Sequence, residues 1–397
     1  MGYLKMRPAT FLGLPVLYRL YDKIEREPLK VCLSEEYCQT FITDENSKKA
    51  TKLINACGVE LFDKHSNLEA IRASSNISSK RKGLVKTMSI VLYCRMKGVI
   101  PFGENFFPKE LKNEEIVLPC DIREGFFSFG MLTDMQNENP IDKLRMGCGI
   151  VNEDMEYSGT LGPFVNLDRD VIGFITCAHV VGLYKREVNK KVFRVANFNS
   201  GAAPSECGHI LNIQFQPDEA VGIDAALVKV NMDVEPTEFT TTKIPFNLSD
   251  FSANNPPSFR DGRVQRNITL SDDTQTTVIK CGTTTGLTKG YLVVEGSMIQ
   301  ILDTDKGIFL PGNITWKGKR SVVMKGQYLV ENAGYPFFTL GDSGAGVYIV
   351  EEDHSLSLIG IAIGMLDNFT VVTPIGPLLD SLELTEQNMH FPEPMQI

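Results

Sequence analysis

Gly341-Asp342-Ser343-Gly344-Ala345-Gly346, followed by the apolar run Val347-Tyr348-Ile349-Val350, is the stretch on which the reading of this chain turns. Glycines flank a serine where the backbone must turn sharply or approach another group closely. Such a turn presents the serine hydroxyl, with backbone N–H groups beside it for a developing oxyanion. A serine hydroxyl is a weak nucleophile, and it needs a base and a group that orients the base. The chain offers both. His179 ends the strand-like run Phe174-Ile175-Thr176-Cys177-Ala178-His179, and Asp224 opens another, Gly222-Ile223-Asp224-Ala225-Ala226-Leu227-Val228. Their order is His, Asp, Ser, one of the known solutions for such a triad.

The three segments together resemble the trypsin/chymotrypsin-like serine proteases. There the nucleophile lies in a GDSGGP-type loop, the base in a T-A-A-H segment and the acid in a D-I-A-L segment. The resemblance covers roughly the C-terminal two thirds of the chain and implies a mainly β fold, a double antiparallel β-barrel with the site in the cleft between barrels. It implies His179 as general base, Asp224 as its orienting acid and Ser343 as nucleophile, with the N–H groups of Gly341 and Ser343 as oxyanion hole. In trypsin-like zymogens the acid at the Asp342 position pairs with an N-terminus freed by cutting before an Ile-Val-Gly-Gly-type site. Here Gly149-Ile150-Val151-Asn152 has no Lys or Arg before the isoleucine, so activity without processing is expected.

The pocket that would choose the substrate side chain is less legible. Trypsins place an acid six residues before the nucleophile; this chain has Phe337, followed by Phe338. Gly360-Ile361-Ala362-Ile363-Gly364 resembles the strand flanking that pocket. Phe337, Phe338 and Gly364 are therefore the expected substrate-pocket residues, with an apolar or small side chain before the cut. Lys280-Cys281-Gly282-Thr283-Thr284-Thr285-Gly286-Leu287-Thr288-Lys289-Gly290 lacks the spacing of a phosphate loop. It is similar instead to the K-x-G-x-T-T-G-x-T-x-G hairpin that starts the second barrel in one group of these proteases.

Composition bounds the partners. The 397 residues are 43% hydrophobic and 22% charged, ordinary for a globular chain. A formal charge of −9 argues against nucleic acid, because phosphate binding needs a basic surface. No apolar run reaches the roughly 18–20 residues of a membrane helix, and no secretory signal is read at the start. The nine cysteines form no framework and no CxxC, so neither a structural zinc nor any other cofactor is expected. They fit a reducing, cytoplasmic setting, a nuclear one being left open, and the five N-x-[ST] sequons are read as chance. The implied partner is a protein or peptide substrate; the oligomeric state is open.

Along the chain, Val16, Leu20 and Ile24 suit a short helix in an N-terminal segment, 1–40. A small α+β unit is expected over 41–125. Its helix is capped by Thr43, with Ala50, Leu53, Ile54 and Cys57 on one face and a stop at Gly58; a polar loop follows at 74–83. Lys97-Gly98-Val99-Ile100-Pro101-Phe102-Gly103-Glu104, Phe107-Pro108 and Asp121-Ile122-Arg123-Glu124-Gly125 resemble a "KGxIPxGExxFP … DVREG" stretch ahead of the catalytic part in trypsin-like proteins without secretory signals. From Cys148 the texture is many short β runs separated by Gly, Asn, Asp and Pro. A protease domain over 126–384 is expected, barrel one to about 250 and barrel two from about 263, then a tail, 385–397.

The reading that follows is a serine endopeptidase. Two others stand beside it: a catalytically silent homologue that binds a peptide in the cleft, and an esterase of another fold. Gly341-Asp342-Ser343-Gly344-Ala345 fits the G-x-S-x-G elbow of the latter only partly, and the His-first order is against it.

Overall fold

Thr43 opens the helix Asp44–Lys64: its hydroxyl oxygen accepts from the Asn46 N–H (3.3 Å), and Asp44 and Glu45 occupy the first turn. The computed structural model describes residues 10–11, 14–15, 42–79, 83–130, 143–168, 171–182, 188–195, 204–240, 257–270, 275–302 and 321–391. The expected helix at Val16–Ile24, part of the polar loop expected at 74–83, part of the stretch between the two expected barrels and the end of the tail lie outside them.

Gly58 does not stop the first helix, which runs one and a half turns further, to Lys64. A Cβ at position 58 would run into the Met298 thioether. The glycine serves close packing of the helix on strand Gly286–Leu302, at a cost of about 1 kcal/mol of helix propensity. The polar stretch beginning at Ser74 is likewise strand rather than loop. Leu68–Ser79 pairs antiparallel with Gly83–Cys94, in register Ala73↔Ile90. Its polar side chains find partners: Ser89 Oγ donates to the Asn76 carbonyl (2.7 Å), and Ser78 donates to Asp121 through both its N–H (2.8 Å) and its hydroxyl (2.5 Å). Buried polar groups need such bonds, and here they permit strand where composition alone argued for solvent.

Two β-rich halves follow. In the first, seven strands lie side by side in the order Ser158–Thr160, Gly149–Asn152, Lys191–Arg194, Ser205–Gln216, Ile223–Val230, Val171–Thr176, Phe164–Asp168, all antiparallel. In the second, Thr276–Gly282, Gly346–Val350, Leu356–Leu366, Phe369–Pro374, Ser321–Asn332 and Gly286–Leu302 pair in turn, and the last returns to the first. Six strands thus close on themselves, a barrel with no free end. The fold is mainly β, as expected. Gly286–Leu302 is one strand of 17 residues whose pairing with Ser321–Asn332 shifts register three times, and such bulges let a long strand bend around a small barrel.

The strands ahead of the first half join the second. Leu68–Ser79 pairs with Gly286–Leu302 (Ile71↔Met298), and Gly83–Cys94 pairs in parallel with Val117–Glu124. One eleven-stranded sheet therefore runs from the second half out through residues 68–124. No helix among the described residues is long and apolar enough to cross a membrane.

Glu69 lies inside this junction, 2% exposed, ion-paired to Arg95 and accepting from the Phe127 N–H. Burial pushes its carboxyl from the ordinary 4.5 up to about 7, against the pull of Arg95 and of the Phe127 N–H. The folded state then holds a proton that the unfolded chain releases near 4.5. Stability is full below that value, falls as pH rises towards 7 and is level above it, a loss of about 3 kcal/mol at most. Urea unfolding of wild type and Glu69→Gln at pH 4.5, 6 and 8 checks this: the difference should move by that amount in favour of the variant as pH rises.

Candidate active site

Antiparallel register brings the first two candidate residues together. Val171–Thr176 pairs with Ile223–Val230 with Phe174↔Val228 and Thr176↔Ala226. Continued two residues past Thr176, that register faces Asp224, and the short helix Ala178–Val181 begins there. The Asp224 carboxylate takes two bonds from one residue. Oδ2 makes a short hydrogen bond to the His179 ring at Nδ1, and Oδ1 accepts from the His179 backbone N–H (3.1 Å). Both side chains are fully buried. A carboxylate at Nδ1 selects the tautomer that carries its proton there, which leaves Nε2 as a lone-pair acceptor. Nε2 is buried and, among the described residues, has no hydrogen-bond partner, an arrangement that costs about 1–3 kcal/mol. The Phe129 ring lies over the imidazole, centroids 4.2 Å apart and planes inclined by 32°.

Ser343 stands on the turn before Gly346–Val350. Two of its glycines sit at left-handed φ, Gly341 at 101° and Gly344 at 98°. A Cβ on Gly344 would strike the Thr160 carbonyl and the Thr176 hydroxyl, so the close approach of the first half admits no side chain there. Thr160 fastens the turn from that side: its N–H donates to the Ser343 carbonyl (2.7 Å) and its hydroxyl to the Gly341 carbonyl (2.8 Å). The Ser343 hydroxyl does not meet His179; it donates to the Ile363 carbonyl (3.0 Å).

Asp342 points away from solvent into a box of donors. Oδ2 accepts from Lys280 Nζ (2.9 Å), the Thr285 hydroxyl (2.7 Å) and the Thr339 N–H (3.0 Å), and Oδ1 from the N–H groups of Thr284 (3.0 Å) and Thr285 (3.2 Å). Asp342 and Lys280 are both fully buried. The lysine ammonium, from the hairpin that lacks phosphate-loop spacing, supplies the positive charge facing this buried carboxylate.

Of the expected pocket residues, Phe337 and Phe338 are buried in a small apolar cluster with Val330, Val347 and Val372. Gly364 pairs with Phe129, and a Cβ there would meet the Ser128 carbonyl. The Gly341 N–H, expected in the oxyanion hole, donates to the Gly130 carbonyl. The sequence reading did not find Lys280, the Ile363 carbonyl or Phe129-Gly130. For Lys280 a signal existed: a lysine inside the apolar strand run Val278-Ile279-Lys280-Cys281 needs a buried anion.

Cys177, His179 and Asp224 bring three donor atoms within 4.8 Å of one another, the separation a metal ion needs. Their donors are already in use: His179 Nδ1 is hydrogen-bonded to the Asp224 carboxylate, and the Cys177 S–H donates to the Ala362 carbonyl (3.4 Å). Burial, and next the Asp224 carboxylate, push the Cys177 thiol well up.

No family model and no curated protein matches the chain. Among solved structures it is similar, at a distance, to protease A of Thermobifida fusca, with 14% identity and TM-score 0.35 over 61% of this chain and 96% of that one. A Nocardiopsis protease gives 14% and 0.34 over 61% and 97%, and a glutamic acid-specific serine protease 13% and 0.36 over 60% and 98%.

Removing the Lys280 ammonium leaves Asp342 charged and buried. Lys280→Met should lower stability by about 3–5 kcal/mol in urea unfolding, and the double variant Lys280→Met/Asp342→Asn should recover a large part of the loss.

Proposed function

We propose that the chain is a serine-type endopeptidase that hydrolyses peptide bonds of protein or peptide substrates through an acyl-enzyme. The observation that carries this reading is the His179–Asp224 pair, whose ring keeps Nε2 buried and, among the described residues, without a hydrogen-bond partner. In the proposed cycle Ser343 rotates off the Ile363 carbonyl towards Nε2. His179 takes its proton as the hydroxyl attacks the scissile carbonyl, then returns that proton to the leaving amine. Asp224 holds the ring and stabilises the imidazolium without itself becoming protonated. The N–H groups of Gly341 and Ser343 receive the oxyanion, each donor worth about 2.7–4 kcal/mol in the transition state.

Lys280 supports a nucleophile loop shaped without proteolytic activation, since Asp342 already has its cation. The Phe338 ring, which lies against Gly130, supports a preference for apolar or small side chains before the cut. The seven free cysteines among the described residues, Cys57, Cys94, Cys120, Cys148, Cys177, Cys207 and Cys281, support work in a reducing compartment such as the cytoplasm.

A second reading, a silent homologue that binds peptides, is favoured by one observation: the Ser343 hydroxyl is bonded to a carbonyl rather than to the base. A fluorophosphonate probe separates the two. The endopeptidase reading expects labelling of the intact, uncut chain that vanishes in Ser343→Ala; labelling absent under all conditions supports the second reading. Asp224→Asn should lower kcat by about 10⁴-fold on a peptide substrate. Cleavage profiling of a peptide library should return apolar or small residues before the cut, and a strong Arg or Lys preference would reject the pocket assignment.

A further inference from the structure

Strand Leu356–Leu366 has neighbours of unequal length. Phe369–Pro374 covers one side as far as Leu366, but on the other side Gly346–Val350 stops at Ile361. The open edge beyond it lies beside the nucleophile turn, and the chain's own Phe127–Phe129 fills it, antiparallel, with Gly364↔Phe129, Met365↔Ser128 and Leu366↔Phe127. The preceding strand, Val117–Glu124, pairs elsewhere, with Gly83–Cys94. Residues 127–130 thus leave their own neighbourhood and cross to the candidate site.

What they touch there is specific. The Gly130 N–H donates to the Ile363 carbonyl (3.2 Å), and the Gly130 carbonyl accepts from the Gly341 N–H, the donor assigned to an oxyanion. A Cβ added to Gly130 would lie 2.8 Å from Ser343 Oγ and inside the Phe338 ring. Phe129 covers the His179 imidazole and packs edge-on against Phe127, centroids 5.2 Å apart. One short segment therefore engages the base, the nucleophile's surroundings, the oxyanion donor and an open sheet edge together. Adding a strand to an exposed edge is how extended peptides are held, main chain by ladder and side chains by flanking pockets.

We infer that Phe127–Gly130 is the resident ligand of the substrate groove: a substrate-like strand held in cis, which an extended peptide must displace before it can reach Ser343. The inference rests on the hydrolase reading of the site. It also gives the displacing peptide a form, an extended strand with an apolar ring against His179 and little bulk at the residue whose carbonyl enters the oxyanion site. Tethering favours the resident. Two residues separate Phe127 from the end of Val117–Glu124, and Glu69 accepts from the Phe127 N–H, so the segment competes at an effective concentration on the order of millimolar.

Gly130→Val and Ser128→Pro, made in the full chain, test this. The first adds a side chain where the Phe338 ring stands; the second removes a ladder N–H. Each is read in two ways: the rate of fluorophosphonate labelling, and, in the Ser343→Ala background, binding of a fluorescein-labelled peptide of residues 125–130, Gly-Phe-Phe-Ser-Phe-Gly. Displacement should raise labelling by roughly tenfold or more and strengthen peptide binding by a similar factor in at least one variant. Unchanged or slower labelling, together with peptide binding no tighter than in the chain with its own strand, overturns the inference. Tighter peptide binding with no labelling in any form keeps the resident strand and removes the hydrolase reading; equal labelling and equal binding in all forms does the reverse.

Discussion

A carboxylate with no access to water, Asp342, constrains this site more than any other group. Desolvating an ionised side chain costs several kcal/mol unless paired charge and hydrogen bonds replace the lost water. Five donors do so, and they come from three places in the second half: Lys280 on a strand, Thr284 and Thr285 in the hairpin after it, and Thr339 just upstream. Once that box is closed, Asp342 has one orientation. Gly341 and Ser343 flank it in sequence, so the direction of their N–H groups and of the serine side chain follows. The order of cause is electrostatic first and catalytic second: the turn is shaped by where its aspartate must go.

The second constraint is the seam. Thr160, from the first half, donates to both Gly341 and Ser343 carbonyls, accepts from the Thr283 N–H with its hydroxyl (3.0 Å) and accepts from the Thr176 hydroxyl with its carbonyl (2.9 Å). Cys177, two residues before His179, donates to Ala362 in the other half. The segment that delivers the base is thus bonded to the strand whose edge forms the groove. Relative placement of His179 and Ser343 comes from these short polar bonds across the interface. They are directional, so a slide of one half over the other would break several at once.

Much of this was legible in the residues. The β runs and the three local motifs were read from alternation and glycine placement, and the structure pairs Asp224 with His179 through a register that those same runs define. What was not legible had one cause, contact with residues remote in sequence. Gly58 read as a helix stop because local signals cannot reveal Met298 lying against it. The Ser74–Ser79 stretch read as loop because its partners, Ser89 and Asp121, lie 13 and 43 residues away. Lys280 read as part of a hairpin motif, and only its burial beside Asp342 gives it a task.

On the proposed reading, His179 shows why such a groove would hold a strand of its own chain. A histidine that is to take a proton from an alcohol needs a bare lone pair in dry surroundings, yet a buried bare lone pair destabilises the fold that contains it. An open cleft would wet Nε2 and relieve that penalty, at the expense of the environment in which the His179–Asp224 pair acts strongly. Phe129 resolves the conflict with an apolar ring: it excludes water from the imidazole face without offering Nε2 a competing donor. Gly130 completes the arrangement by giving the Gly341 N–H an acceptor, so that donor is not left unpaired as well. The segment satisfies the polar group that can be satisfied and dries the one that must stay bare. An incoming peptide strand of the same form could do both in its place, whereas water could do only the first.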